Sequence, residues 1–190
     1  PGGFGGAVNI HDGGTVRDCI LQNSQARDGG GIAIDEDGWV VNCVIRDNLA
    51  WDNGTRGYGG GVRLLNGGTA RGCLVVGTDS HNYGGRISSW RGGTVQNCTI
   101  VGNTAPHGAG IRTRSEAAYG VSVENSILVD NLVGEDWQLN GSGYSYTNTC
   151  TTDASLLPGS GNFSDAPLFV DAVGGDFRLA IGSPCVNAGL

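Results

Sequence analysis

The chain repeats one short pattern five times, and one column of that pattern admits only asparagine, aspartate and glycine. The five copies are TVRDCIL (Thr15–Leu21), VVNCVI (Val40–Ile45), TARGCLV (Thr69–Val75), TVQNCTI (Thr94–Ile100) and SVENSIL (Ser122–Leu128). The restricted column contains Asp18, Asn42, Gly72, Asn97 and Asn125. These residue types occupy the left-handed backbone region at low cost, so the column predicts the same backbone bend in every copy.

Apolar residues flank the predicted bend, and a glycine cluster opens a further strand in each repeat. The columns on either side are Val16, Val40, Ala70, Val95, Val123 and Leu21, Ile45, Val75, Ile100, Leu128. The cluster recurs as GGGIAI (Gly29–Ile34), GGGVRL (Gly59–Leu64), GGRISS (Gly84–Ser89) and GAGIRT (Gly108–Thr113). Three short strands per repeat cannot pack alone, but stacked coils bury all inward columns together. An antiparallel β-sandwich also has regular turns, but it does not require the same residue type at one bend five times.

The fullest copy, GGTVQNCTIVGNTAPHGAGI (Gly92–Ile111), resembles the repeats of the pectate-lyase-like superfamily, in particular bacterial surface and secreted β-helix proteins. The segment DAPLFVDAVGGDFRLAIGSPCVNAG (Asp165–Gly189) looks like the element that closes such repeats, often ahead of a sorting anchor. The resemblance implies an all-β, right-handed parallel β-helix of about five to six coils. It also implies one domain over 1–190, with coils in 1–146 and a closing segment in 147–190, and a secreted or cell-surface location. This fold hosts many activities, so the resemblance does not name one.

Composition limits the classes of partner. The net charge is −7 and the 11 basic residues are all arginine, which argues against a nucleic-acid surface. No apolar run is long enough to span a membrane.

The six cysteines fall into two groups. Cys19, Cys43, Cys73 and Cys98 follow the bend and are expected to point inward as small buried side chains, since Ser126 replaces the fifth. Cys150 and Cys185 lie outside the repeat, and we expect a disulfide between them if the protein is extracellular.

Arginine and aromatic residues concentrate around the strand that follows each glycine cluster. Outward positions there form one column of Ala33, Arg63, Ser88 and Arg112 and another of Asp35, Leu65, Trp90 and Arg114. Arg86 begins its strand, and a second stacked set, Asp28, Tyr58, Tyr83 and His107, precedes the glycines, with His81 and Trp51 nearby. Arginine forks suit carboxylates and an exposed tryptophan face suits a sugar ring. The candidate ligand-binding residues are Arg63, Arg86, Trp90, Arg112, Arg114, Tyr58, Tyr83, His81 and His107. They predict a groove for an acidic polysaccharide or cell-surface glycan, and the alternative is a solvated arginine face.

Two other functions compete with glycan binding. A polysaccharide lyase or glycoside hydrolase would need converging acid and base groups, but the acids Asp35, Glu36 and Asp37 do not repeat on successive coils. The sequence therefore favours a non-catalytic role without a cofactor, with a weak calcium candidate at Asp35 and Asp37.

The third function is a structural rod that assembles end to end. The chain begins inside a coil, so we expect either further coils before Pro1 or stacking of this end on another molecule. The outward stripe Ile20, Val44, Leu74 and Ile127 must also be covered, either by the C-terminal segment or by a second chain.

Overall fold

The computed structural model describes residues 3–51, 57–81, 85–113, 119–133, 139–140, 144–152 and 157–189. Its strands stack in four parallel sheets and form a β-solenoid of about five turns. The described residues include no α-helix, and their only antiparallel pair is the hairpin after the solenoid. The predicted all-β solenoid of stacked parallel coils is therefore confirmed, and the β-sandwich is excluded.

The strands are numbered β1 to β25 along the chain, and successive turns add strands to the same four sheets. Sheet I contains β1 (Val8–Ile10), β5 (Ile32–Ile34), β9 (Val62–Leu64), β13 (Ile87–Ser89), β17 (Ile111–Thr113) and β21 (Leu139–Asn140). Sheet II contains β2 (Thr15–Arg17), β6 (Trp39–Val41), β10 (Thr69–Arg71), β14 (Gly93–Gln96), β18 (Val121–Glu124) and β22 (Tyr144–Thr147). Sheet III contains β3 (Ile20–Gln22), β7 (Val44–Arg46), β11 (Leu74–Val76), β15 (Thr99–Val101), β19 (Ile127–Val129) and β23 (Cys150–Thr151). Sheet IV contains β4 (Gln25–Ala26), β8 (Leu49–Ala50), β12 (Asp79–Ser80), β16 (Thr104–Ala105) and β20 (Leu132–Val133). The stacked strands thus continue past residue 146, where the sequence placed the end of the coils.

The predicted bend column joins sheets II and III. Its five members all have positive φ, between 47° and 63°, and Asn148 adds a sixth at 49°. A second left-handed column, which the sequence analysis overlooked, joins sheets III and IV: Asn23, Asp47, Gly77, Gly102 and Asp130, with φ between 53° and 63°. This second bend creates the short strands of sheet IV. The expectation of three strands per repeat was therefore wrong, and the full repeat has four.

The core fills the space between the sheets. The apolar columns on either side of the first bend are buried apart from the half-buried Val16, and Val40 and Ile45 are fully enclosed. Burial of one such aliphatic side chain stabilises the fold by about 1.5–3 kcal/mol.

The cysteine column lies in this core but is more than apolar filling. Cys43, Cys73 and Cys98 are buried, and each thiol donates to the carbonyl oxygen two residues earlier, at 3.3–3.4 Å. The hydroxyls of Ser126 and Thr149 make the same bond at 2.8 and 3.1 Å. The column therefore selects a small side chain with one hydrogen-bond donor. Cys19 is exposed, contrary to expectation, because the neighbouring β3 is the terminal strand of sheet III.

Buried asparagines follow the second bend and tie successive coils together. Asn48 Nδ2 donates to the Leu21 carbonyl at 2.9 Å and its Oδ1 accepts from the Ser24 amide at 3.0 Å. Asn103 Nδ2 donates to the Val75 carbonyl and to Asn131 Oδ1, at 3.1 and 2.8 Å. These side chains satisfy backbone groups that the corner would otherwise leave unpaired in the interior.

The glycine clusters mark another corner, where the backbones of adjacent coils approach closely. A Cβ atom on Gly30 would lie 2.4 Å from the Gly60 carbonyl oxygen, and one on Gly60 would lie 2.3 Å from that of Asp79. No side chain fits there without moving the backbone, which explains the recurrence of glycine.

The C-terminal segment covers part of the outward stripe on sheet III. Its hairpin pairs β24 (Phe169–Asp171) with β25 (Asp176–Leu179), and Phe169 and Phe177 pack edge to face with ring centroids 5.4 Å apart. Both rings join a cluster on the outer face of sheet III that includes Leu74 and Ile127. Of the stripe, Ile20 stays exposed and Val44 is half-buried.

Candidate functional site

The outward column on sheet I is continuous, but most of it does not face solvent. Strand register stacks Ala33, Arg63, Ser88 and Arg112 in that order. Ala33 and Ser88 are fully buried, Arg63 is 2 % exposed and Arg112 is half-buried. The prediction of an open arginine groove was therefore wrong for Arg63. Its guanidinium group is covered by aromatic rings and donates a short hydrogen bond from Nη1 to Ser88 Oγ.

Tyr58 is the centre of this arrangement. Its ring centroid lies 4.8 Å from Cζ of Arg63 and 5.8 Å from Cζ of Arg112, which reaches back across an intervening strand. The Trp90 ring lies 5.8 Å from the same Arg63 carbon. Guanidinium groups over aromatic faces attract the ring quadrupole, so these contacts fix the rings in place.

A pocket with a volume of about 480 Å³ opens beside these side chains. Residues just before and just after the strands of sheet I form its walls. The lining residues are Phe4, Arg27, Asp28, Tyr58, Arg63, Leu65, Asn66, Trp90 and Arg91. The volume lies within the range of small-molecule sites. Trp90 is half-buried, and Arg91 and Asn66 are exposed, so these three side chains are open to a ligand.

The pocket is cationic although the protein is acidic. Three guanidinium groups and one carboxylate, that of Asp28, belong to the described lining. Asp28 is 5 % exposed; its Oδ2 accepts from Arg27 Nε at 2.9 Å, whereas its Oδ1 has no hydrogen-bond donor. Arg27 in turn lies 4.8 Å above the Phe4 ring. The pocket therefore offers donors for an anion, while its one carboxylate is enclosed by the protein.

The structure brings together only some of the residues that the sequence singled out. Tyr58, Arg63 and Trp90 line the pocket, and Arg112 joins them through Tyr58. Other candidates lie elsewhere: His81 packs near Trp51 with ring centroids 6.4 Å apart, the half-buried His107 is not in the lining, and Tyr83 and Arg114 fall outside the described residues.

Arg86 is not a surface residue. It is fully buried and its Nη1 donates to the Thr104 carbonyl at 2.7 Å. Burial lowers its pKa well below the usual arginine value, against an opposing effect of the Asp79 carboxylate. The register places it opposite Gly61, where an added Cβ would lie 2.8 Å from Val75 Cγ1, so this position points inward. Arg86 is therefore removed from the candidate ligand contacts.

The sequence analysis missed Phe4, Arg27, Asn66 and Arg91. A signal existed for the first of these: Phe4, Asp28 and Tyr58 each directly precede a glycine cluster, and parallel bridges pair them across three coils. Arg91 and Asn66 follow strand ends where no column pattern exists.

The carboxylate of Asp35, one of the two calcium-candidate residues, contacts other side chains. Asp35 Oδ2 lies 3.0 Å from His11 Nδ1, and Oδ1 accepts from Asn66 Nδ2 at 2.7 Å, so both carboxylate oxygens are engaged. Asp37 is exposed. Across the described ranges, no group of three or more histidine, cysteine, aspartate or glutamate side chains is placed to hold a metal ion.

The fold and this pocket define a parallel β-solenoid protein with an arginine- and aromatic-lined cavity on one sheet. Comparison with protein-family models, curated proteins and solved structures finds no match to the chain. In the part of the chain that the structure describes, no helix has the length and apolar character needed to cross a membrane.

Proposed function

We propose that this protein binds an acidic polysaccharide in the Tyr58–Trp90 pocket and does not alter it chemically. The observation that carries the proposal is the charge and shape of the pocket: three guanidinium groups and three aromatic rings around about 480 Å³, on a chain of net charge −7. An acidic protein concentrates arginine in one concave site at an electrostatic cost, and a bound anion offsets that cost.

Each accessible group has a matching feature on a uronate sugar. Arg91 can form a charge-assisted pair with the sugar carboxylate, and the half-buried Trp90 presents an apolar face to the ring. Arg63 is too deeply buried to be the first contact; it holds the Tyr58 and Trp90 rings.

The described lining favours binding over hydrolysis. Glycoside hydrolases place two carboxyl groups on either side of the scissile bond, and Asp28 is the one carboxylate among the lining residues that the structure describes. The proposal includes membership of the pectate-lyase-like superfamily and a location at a bacterial surface or in the medium, where such glycans occur. The repeat resemblance supports those two points.

Calorimetric titration with tri-galacturonate, and with the neutral trisaccharide maltotriose, tests the proposal. We expect binding of the acidic probe alone, and binding that weakens as salt rises because exposed charges are screened. Arg91→Ala and Trp90→Ala should each weaken binding by roughly 10- to 100-fold, the effect of losing one charged hydrogen bond or one aromatic contact. Arg71→Ala and Trp39→Ala are matched controls, because both side chains are exposed on sheet II.

Three outcomes contradict the proposal. Equal binding of both trisaccharides would remove the charge argument, and unchanged affinity in both pocket variants would place the site elsewhere. Release of unsaturated uronate products or new reducing ends would make the protein a lyase or hydrolase.

A further inference from the structure

The C-terminal segment is attached to the solenoid over an apolar cluster that contains two cysteines. The cluster includes the buried Val101, Val129 and Cys150 and the partly buried Phe169 and Cys185. It lies on the outer face of sheet III, so opening the segment would expose apolar surface to water.

Cys150 belongs to the solenoid and Cys185 belongs to the segment that covers it. Strand register places Cys150 directly after Ile127, as the last member of the outward stripe. Cys185 lies across from it, and both line one cavity of about 190 Å³ with Ile127, Phe163 and Leu179. Both cysteines are free in this structure, and an interaction with Cys185 contributes to the raised pKa of Cys150.

We propose that Cys150 and Cys185 form a disulfide that fastens the C-terminal segment to the solenoid in an oxidising compartment. The two thiols together lose two protons and two electrons as the Sγ–Sγ bond forms. A disulfide-bearing oxidant, such as oxidised glutathione or a dithiol oxidase, accepts them and is reduced to two thiols.

The surroundings of Cys150 make this a structural bond and not a redox sensor. Its Sγ donates to the Asp165 carbonyl at 3.2 Å, and it is 1 % exposed. Burial, followed by the hydrogen bond with Cys185, raises the pKa of Cys150 to about 12. Only a small fraction of such a thiol is thiolate near neutral pH, so exchange begins at the half-buried Cys185. In the disulfide, the Cys150 sulfur would be shielded from small reductants and the Cys185 sulfur would be the accessible one.

Cys73 and Cys98, neighbours in the inward cysteine column, provide an internal comparison. The Cys73 amide donates to Cys98 Sγ at 3.5 Å, but these two residues sit in one inward column of parallel strands. Their Cβ vectors run parallel, a geometry that strains a disulfide. Each thiol also keeps its own bond to a carbonyl of its own coil. The proposal therefore assigns oxidation to Cys150 and Cys185 and leaves Cys73 and Cys98 reduced.

Oxidation of the purified chain in a glutathione redox buffer, followed by blocking of free thiols, digestion and mass spectrometry, tests the pairing. We expect a linked Cys150–Cys185 peptide that disappears after dithiothreitol treatment, with Cys73 and Cys98 blocked in both samples. A Cys73–Cys98 peptide, or complete blocking of Cys150 and Cys185 after oxidation to equilibrium, would overturn the assignment.

Limited proteolysis of the native protein tests whether the disulfide fastens the C-terminal segment to the solenoid. Cleavage between residues 157 and 189 should be at least ten-fold slower in the oxidised than in the reduced form. Cys185→Ser, at a half-buried site, should abolish the redox dependence, and Cys19→Ser, in the same background of free thiols, should preserve it. Equal cleavage of the oxidised and reduced wild-type chains would overturn the proposed role even if the bond forms.

Discussion

Replacing Asn103 by alanine removes a fully buried, hydrogen-bonded side chain from the corner between sheets III and IV. Asn103 is fully buried and makes three hydrogen bonds. Its Nδ2 donates to the Val75 carbonyl at 3.1 Å and to Asn131 Oδ1 at 2.8 Å. Its Oδ1 accepts from the Thr78 amide at 3.3 Å. Alanine would remove one hydrogen bond from each of three groups on neighbouring coils.

The cost follows from that count. A buried hydrogen bond contributes about 1 kcal/mol to stability, so the loss of three predicts a decrease of roughly 3 kcal/mol. With a urea m-value of about 2 kcal/mol/M, the denaturation midpoint should fall by about 1.5 M. The assay is urea denaturation followed by circular dichroism, with Asn9→Ala as the control, because Asn9 is exposed on β1 and should change stability by less than about 0.5 kcal/mol. A loss below about 1 kcal/mol for Asn103→Ala at an unchanged m-value would refute the stabilising role of the Asn103 hydrogen bonds.

Three further predictions concern the bend, the cysteine column and the glycine corner. Asn97→Val should destabilise the fold by about 1–2 kcal/mol in the same urea assay, since φ is 54°, whereas Asn97→Gly should be nearly neutral; equal losses would remove the conformational argument. In reduced native protein at pH 8, iodoacetamide should label the exposed Cys19 well before Cys98, whose pKa is raised by its hydrogen bond with Cys73 and by burial, and mass spectrometry would reveal the contrary order. Gly60→Ala should lower the thermal midpoint of unfolding by several degrees, because the added Cβ would lie 2.3 Å from the Asp79 carbonyl oxygen. An unchanged midpoint would mean that the backbone at this corner shifts to make room for the methyl group.

Features that repeat along the chain were the ones that the sequence predicted well. The first bend column was identified because five copies share one unusual residue class, and all five residues have the left-handed conformation. The second bend was equally regular, yet its members, such as Asn23 and Asp47, resemble ordinary loop residues and lie outside the cysteine-anchored block. The bends were therefore predicted only inside the block that supplied the alignment.

The pocket was only partly predictable because its contacts cross the repeat. Arg112 reaches Tyr58 over an intervening strand, and one of the two rings over Arg63, that of Trp90, belongs to the neighbouring coil. A column pattern assigns a direction to each side chain, but it does not give its length, the path it takes or the neighbour that covers it. Predicting that a position points outward is consequently different from predicting that it meets solvent.

Arg86 shows that column position predicts the direction of a side chain better than its polarity does. Its guanidinium suggests a surface ligand, but it occupies the column of Gly31, Gly61 and Gly110, where the register points a side chain into the solenoid. The same coil departs from the repeat a second time, because Thr78 stands in the register position of Asn48. Arg86 therefore enters the interior close in sequence to Thr78, where a shorter side chain replaces the asparagine. In a solenoid, the column that a residue occupies is better evidence of its direction than its own polarity. Paired departures from the repeat therefore indicate local repacking before they indicate a site.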